Sequence, residues 1–317
     1  MDTINFGNTG HQISCLGLGT MYFGTKVDEQ TSFSILDSYT ENGGGFLDSA
    51  NKYASWVPGF CGGESESLIG KWMKQKGNRE TLFVASKVGF PYGEIPRTLK
   101  KEIIISECEK SLKRLGVENL DLYFAHAFDS FTPAEETMEA FFRLKREGKI
   151  RFAGASNYSS WQLSEANTAV GNQGWEGFCS IQQQHTYLEP HLRTPFGNQV
   201  ILTPEMAHFC TVKNITIIAY SPLMGGAYTR TDDALPIQFQ NSDSGFKLKI
   251  LKQIANELQV SANAVVLAWM IQSSPPVIPL VSGSSLNQLK ENLQVLKFKL
   301  SKEQLIRLDQ RFESQSM

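Results

Sequence analysis

The sequence predicts an α/β fold, a (β/α)8 TIM barrel, on three observations. Short apolar runs rich in β-branched and aromatic residues alternate with segments of helical period, the pattern of βαβ units around a parallel sheet. Eight such units fit a chain of 317 residues. An acid, a phenol, an amine and an imidazole (Asp48, Tyr53, Lys87 and His126) stand where apolar runs meet loops. In a barrel of this kind, the C-terminal strand ends are where active sites are built.

The elements follow in order. Ile4 to Ser14 reads as an N-terminal β-hairpin turning at Asn8–Gly10, placed to plug the barrel floor. Strand-like runs occur at Leu16–Gly19 (the weakest), Gly45–Asp48, Thr81–Ser86, Leu120–Ala125, Ile150–Gly154, Phe178–Gln182, Ile215–Ala219 and Val277–Pro279. Helical patterns cover Glu29–Glu41, Glu64–Lys74, Pro133–Arg146, Ser160–Val170, Pro204–Lys213, Ser261–Gln272 and Leu286–Leu293. Ile104, Cys108, Leu112 and Leu115 share one face of a further helix, which Gly116 is suited to cap. Ser301 to Phe312 reads as an additional C-terminal helix. The connection from Tyr228 to Ser244, rich in Thr, Asp, Gln and Asn, reads as a lid or surface loop. No Pro/Gly/Ser tract divides the chain, so residues 1–317 are expected to form a single domain.

Composition narrows the function class. Apolar residues make up 41 % and charged residues 20 %, ordinary for a soluble globular protein. A formal charge of -2 offers no general attraction to nucleic acid or an anionic membrane. The apolar stretch Ala264 to Ile271 is too short to span a bilayer. No signal peptide is visible at the N-terminus. Five cysteines, scattered and without CxxC spacing, read as reduced thiols, so the expected location is cytoplasmic. The five histidines show no ligand spacing with cysteine or carboxylate, and no metal site is expected.

Several motifs occur together and in order: Leu16-Gly-Leu-Gly-Thr-Met21, Phe46-Leu-Asp48-Ser-Ala-Asn-Lys-Tyr53, the segment Ser111 to His126, the segment Leu144 to Asn157, and Ala219-Tyr-Ser-Pro-Leu223. In these motifs the chain resembles the aldo-keto reductases over nearly its whole length. The resemblance implies hydride exchange between NAD(P)H and the carbonyl of a small-molecule aldehyde or ketone. It implies Tyr53 as proton donor. It also implies Lys87 as the neighbour that lowers the phenol's pKa, Asp48 as the group that holds Lys87, and His126 as a donor that orients the substrate oxygen.

The resemblance also implies a cofactor site. Gly19, Thr20 and Met21 belong to the first cofactor loop, and Asp48 borders it. Ser156 and Asn157 hold the nicotinamide carboxamide. A glutamine contact follows, for which Gln182, Gln183 and Gln184 are candidates; Gln182 is preferred because it directly follows Ile181. Tyr220 stacks on the nicotinamide, and Ser221, Leu223 and the Gly225-Gly226 turn follow the pyrophosphate. Counting back from Asn292 puts Gln288 and Ser284 at the adenosine contacts. Neither is a cation, so Arg230 is the candidate for a 2′-phosphate. NADP(H) is expected, with NAD(H) open.

Trp56 and Phe60, in the loop after Tyr53, are candidates for the substrate wall. With Asn51 and Ser55 nearby, they point to a sugar-derived or hydroxylated aldehyde. Two other classes stand beside the reductase: a barrel enzyme using Lys87 as a Schiff-base lysine, and a non-catalytic NADPH-binding regulatory subunit. The expected assembly is a monomer or weak homo-oligomer.

Overall fold

A computed structural model describes residues 1–171, 175–191, 196–230 and 235–312, to which all structural statements refer. The expected hairpin is present. β1 (Thr3–Asn5) and β2 (Gln12–Ser14) pair antiparallel with Ile4 opposite Ile13. Then come β3 (Gly17–Gly19), β4 (Phe46–Asp48), β5 (Phe83–Val88), β6 (Leu120–Ala125), β7 (Ile150–Ser156), β8 (Ser180–Gln184), β9 (Thr216–Tyr220) and β10 (Val277–Val281). All neighbours are parallel, and β10 pairs with β3 to close an eight-stranded barrel, the predicted (β/α)8 architecture.

The helical shell consists of α1 (Glu29–Glu41), α2 (Glu64–Lys76), α3 (Lys101–Leu115), α4 (Ala134–Arg146), α5 (Ser160–Gly171), α6 (Pro204–Lys213), α7 (Ser242–Leu258), α8 (Ala262–Gln272), α9 (Leu286–Asn292) and α10 (Lys302–Asp309). In α3 the stripe Ile104, Cys108, Leu112 and Leu115 is buried against the sheet. Gly116 ends the helix at φ 66°, its N–H donating to the carbonyls of Leu112 and Lys113. A capping box between Ser301 and Gln304 starts α10. This helix stops sooner than expected, because Gln310 takes an extended conformation (φ -61°, ψ 142°).

The longest helix, α7, was not anticipated. Its signal lies in Phe246, Ile250, Ile254 and Leu258 at spacings of four, preceded by Asn241, whose side chain accepts from the Ser244 N–H. The polar composition of the preceding connection masks this pattern. Residues 231–234 of the expected lid lie outside the described residues. Of the rest, Ile237–Phe239 is a single 3₁₀ turn with Phe239 buried, and Ser242 already belongs to α7. Among the described residues no single helix is long and apolar enough to cross a membrane; α7 and α8 pass that test only as a pair bent by 98°.

The barrel interior is filled by Phe46, Ala85, Leu122, Phe124, Phe152, Ile218, Ile278 and Leu280. The hairpin adds Phe6 and Ile13 to this cluster. Phe6 meets Phe83 and Phe152 edge-on, with ring centroids 5.2 and 5.6 Å away, and is fully buried. The N-terminal end of the barrel is therefore stoppered. Near the other end Gly154 lies under the Phe124 ring. A Cβ there would stand 2.5 Å from Ser180 Oγ and 2.6 Å from Phe124 Cε1, so the packing requires glycine.

The loop after β4 is braced from outside. Asn51 Nδ2 donates to Glu107 Oε2 at 2.8 Å, Tyr92 donates to the same oxygen, and Lys110 Nζ lies 2.8 Å from Oε1. Burial works against the Glu107 charge. Hydrogen bonds from Lys110, Tyr92 and Asn51 outweigh it and hold the carboxyl below its ordinary value.

Candidate active site

The parallel register puts the ends of β4, β5 and β6 side by side, with Asp48 beside Ala85 and Lys87 beside Phe124. Successive side chains of a strand alternate between the interior and the helical shell. Asp48, Lys87 and the residue after β6, His126, consequently converge on one end of the barrel. Tyr53 is returned to the same place by a tight turn in which its N–H donates to the Ala50 carbonyl.

Lys87 is the hub. Its fully buried ammonium donates to Asp48 Oδ2 at 2.6 Å, to the Ser49 carbonyl at 2.6 Å and to Tyr53 Oη at 2.7 Å. All three of its hydrogens are used. Tyr53 in turn donates to Asp48 Oδ2 at 3.1 Å. One carboxylate oxygen thus serves both partners.

This sharing overturns one expectation. Lys87 alone would lower the phenol's pKa. Burial and then the Asp48 carboxylate outweigh it and hold Tyr53 well above its ordinary value. The phenol stays protonated, as a donor must. Burial also pulls Lys87 below its ordinary value, with Asp48 opposing. His126 is pushed well below its ordinary value by burial, then by the charges of Lys87 and Lys52, so its imidazole is neutral near pH 7. Its ring centroid lies 6.2 Å from that of Tyr53, and its buried Nδ1 has no partner.

These groups border a cavity of about 860 Å³ at the C-terminal mouth of the barrel. That is within the range of about 300–1,000 Å³ typical of ligand and cofactor sites. Asp48, Tyr53 and His126 line it, whereas Lys87 sits behind Tyr53 and does not. Of the expected cofactor residues, Gly19, Met21, Ser156, Asn157, Gln182, Tyr220, Ser221, Leu223, Gly225, Arg230, Ser284, Gln288 and Asn292 all line the cavity. Thr20 does not. Its fully buried side chain donates to the Asp48 carbonyl at 2.9 Å and meets Ser65 Oγ at 2.8 Å, tying β3 and β4 to α2.

Strand alternation separates Gln182 from Gln183. Gln182 faces the cavity and donates to Asp48 Oδ1 at 2.9 Å. Gln183 turns outward, accepting from the Asn157 N–H at 2.8 Å and donating to the Tyr158 carbonyl at 2.5 Å. Gln184, at the strand's end, does not line the cavity. Asn157 sits at φ 58°, a left-handed position that asparagine tolerates. Its Nδ2 donates to the His126 carbonyl and to Ser156 Oγ. Its Oδ1 accepts from the Val200 N–H and from the Tyr220 hydroxyl at 2.7 Å. The Asn157 side chain therefore has no capacity left for a ligand and acts as a clasp between strand ends.

On the substrate side Trp56 lines the cavity but Phe60 does not. Asn51, expected to help bind hydroxyls, is turned away and committed to Glu107. Tyr22, Lys26, Lys52 and Phe90 line the cavity instead, and neither spacing nor composition had marked them. At the opposite end Asn263 and Glu291 join the lining, with Asn263 Nδ2 donating to Glu291 Oε1 at 2.9 Å. Asn263 Oδ1 is buried and unpartnered. Buried polar atoms ordinarily have partners. The lining runs from His126 and Tyr53 beyond β6 and β4 to Asn263, Ser284 and Glu291 beyond β9 and β10, so the cavity spans the barrel mouth and has room for an extended, polar ligand such as a dinucleotide.

Comparison with known proteins agrees with this geometry. The Aldo/keto reductase family profile matches residues 15–312. The chain is 31 % identical to an uncharacterized oxidoreductase, YrpG, of Bacillus subtilis, over 98 % of this chain and 96 % of that protein. It is 30 % identical to the aldo-keto reductase yakc [NADP(+)] of Schizosaccharomyces pombe, over 90 % of this chain and 83 % of the relative. The crystal structure of a thermostable aldo-keto reductase, Tm1743, in complex with the inhibitor epalrestat, superposes with a TM-score of 0.76 at 27 % identity, covering 98 % of this chain and 99 % of that one. With the closed barrel and the clustered Asp48, Tyr53, Lys87 and His126, these matches establish that the chain belongs to the aldo/keto reductase family.

Proposed function

We propose that this protein reduces a small-molecule aldehyde or ketone to an alcohol with NADP(H) as the redox partner, and that Tyr53 supplies the proton. The observation that carries the reading is the chain of contacts Asp48–Lys87–Tyr53 at the cavity wall, with neutral His126 beside it. Ser156, Gln182 and Tyr220 would hold the nicotinamide. Ser221, Leu223 and Gly225 would follow the pyrophosphate, and Arg230, Ser284, Gln288 and Asn292 the adenosine end. The nicotinamide, when bound, supplies the hydride.

The chain's own residues do the rest. With a substrate in place, the Tyr53 hydroxyl would turn its proton from Asp48 Oδ2 to the substrate oxygen, where with His126 it gives two donors at the atom on which negative charge develops. Tyr53 then releases its proton to that oxygen, and the adjacent Lys87 ammonium stabilises the phenolate left behind. Asp48 keeps the ammonium in place. The tetrad tells against an imine-forming Lys87, since that amine is fully buried, hydrogen-bonded three times and absent from the cavity lining. A panel of aldoses, aliphatic aldehydes and aromatic aldehydes, each with NADPH and NADH, tests the proposal by following loss of reduced nicotinamide. No turnover with any pair rules it out.

Two expectations accompany it. Arg230 lines the cavity, while Gln288 Oε1 is occupied by the Ser284 N–H at 2.7 Å. Arg230→Ala should therefore weaken NADPH about ten- to hundredfold and leave NADH unchanged, as expected for a lost charge-assisted hydrogen bond to the 2′-phosphate. Equal losses for both dinucleotides in a binding titration would assign Arg230 another role.

The second concerns pH. A donor phenol must be protonated, and Tyr53 is held above its ordinary value of about 10 by burial and Asp48. The alkaline fall of reductive kcat/KM should lie above that pH in the wild type. Asp48→Asn removes the carboxylate while Lys87 remains, so the fall should move to lower pH. A profile that stays put, or moves upward, would show that Asp48 does not set the phenol.

A further inference from the structure

Among the described residues, the substrate side of the cavity carries two cations without counter-charges, Lys26 and Lys52, and Arg97 stands behind Phe90 nearby. Lys52 Nζ lies 5.4 Å from the Trp56 ring centroid and 4.5 Å from that of Phe90. Lys26 Nζ stands 4.7 Å over Tyr22, whose ring meets Trp56 edge-on at 6.4 Å. Arg97 lies 5.7 Å over Phe90 and donates only to neutral oxygens, the Asn198 side chain and the Phe128 carbonyl. Among the described residues none of these three cations has a carboxylate within ion-pair distance. Among the described residues 15 Lys and Arg side chains do make such pairs with acids, whereas Lys52 meets aromatic faces.

Aromatic faces attract an ammonium but offer its three N–H donors no lone pair. Lys52 is half-buried, and burial alone pulls its pKa below the ordinary value, with no acid acting against it. It directly precedes Tyr53, and its charge is felt by His126. Phe90 bridges the two, its ring centroid 4.7 Å from the imidazole. The ammonium therefore stands about one aromatic ring from the imidazole that borders Tyr53.

We propose that Lys52, held between Trp56 and Phe90, is an anion receptor, and that the preferred carbonyl substrate carries a carboxylate a few bonds from the reacting carbon. This rests on the carbonyl-reductase reading above and names its substrate class. The aromatic faces hold the body of such a molecule, and Lys52 supplies the donors that its carboxylate needs. Lys26 and Arg97 add attraction at longer range, which salt would screen.

The test compares matched pairs, succinic semialdehyde with butanal and 4-carboxybenzaldehyde with benzaldehyde, by kcat/KM in the wild type, Lys52→Met and Lys52→Arg. The wild type should favour the acid of each pair about ten- to a hundredfold, mostly through KM, and the ratio should shrink as salt rises. Lys52→Met should bring the ratio towards one, and Lys52→Arg should keep most of it. Equal use of acid and neutral partners by the wild type overturns the proposal while leaving the reductase reading intact. So does an acid preference that survives Lys52→Met. If Lys52→Met does not fold, Lys52→Gln and the salt dependence of the wild-type ratio decide in the same way. Failure to reduce any of the four aldehydes with either dinucleotide removes the reductase reading, and this proposal with it.

Discussion

Tyr53→Phe is expected to lower carbonyl reduction by about 10²–10⁴-fold, the usual contribution of a general acid. The substitution removes only the hydroxyl that lies 2.7 Å from Lys87 Nζ and 3.1 Å from Asp48 Oδ2. The ring keeps its place opposite His126, so binding of the dinucleotide should change little. Single-turnover rates with saturating NADPH, paired with a titration of NADPH affinity, separate the two effects. Wild-type turnover in the variant would remove Tyr53 as the proton donor. A loss confined to nucleotide affinity would do the same, because the defect would then lie in assembly of the complex.

Lys87→Met should damage both stability and chemistry. It leaves the Asp48 carboxylate, only 1 % exposed, without the ammonium that lies 2.6 Å away. Breaking a buried pair from one side costs about 3–5 kcal/mol, because the remaining charge stays buried. The same change takes from Tyr53 the cation that would stabilise its phenolate. Asp48→Asn combined with Lys87→Met removes the stranded charge, so the double variant should regain much of the stability and none of the activity. Denaturant midpoints and reduction rates of the three variants check this. Recovery of activity in the double variant would show that the ion pair serves the fold alone.

The barrel was legible because its two periods differ. Runs such as Leu120–Ala125 and stripes such as Ile104–Leu115 cannot exchange roles, and their alternation leaves few topologies. The convergence of Asp48, Lys87 and His126 followed from their positions at strand ends. Gln182 was preferred over Gln183 because it directly follows Ile181, and the alternation of strand faces turns Gln183 away from the cavity. What was not legible depended on directions that spacing does not encode. Thr20 follows a cavity-lining glycine yet turns under α2, and Asn51 sits beside Lys52 yet turns to Glu107. Phe90 and Lys52 acquire meaning only from each other, across a gap of 38 positions closed by the barrel. The direction in which Tyr53 is shifted was not legible for the same reason, since burial and the shared Asp48 oxygen are facts of three dimensions.

The aromatic stopper formed by Phe6 beneath Phe46, Phe83 and Phe152 has a kinetic meaning. A barrel packed through its interior is open to ligands at its mouth alone. The dinucleotide and the carbonyl compound, if both use the cavity at the mouth, must pass through that doorway one after the other. Whichever settles deeper has to arrive first and leave last. The sequence of arrivals and departures is thus constrained by the packed interior below the mouth, which the hairpin residues Phe6 and Ile13 complete at the far end.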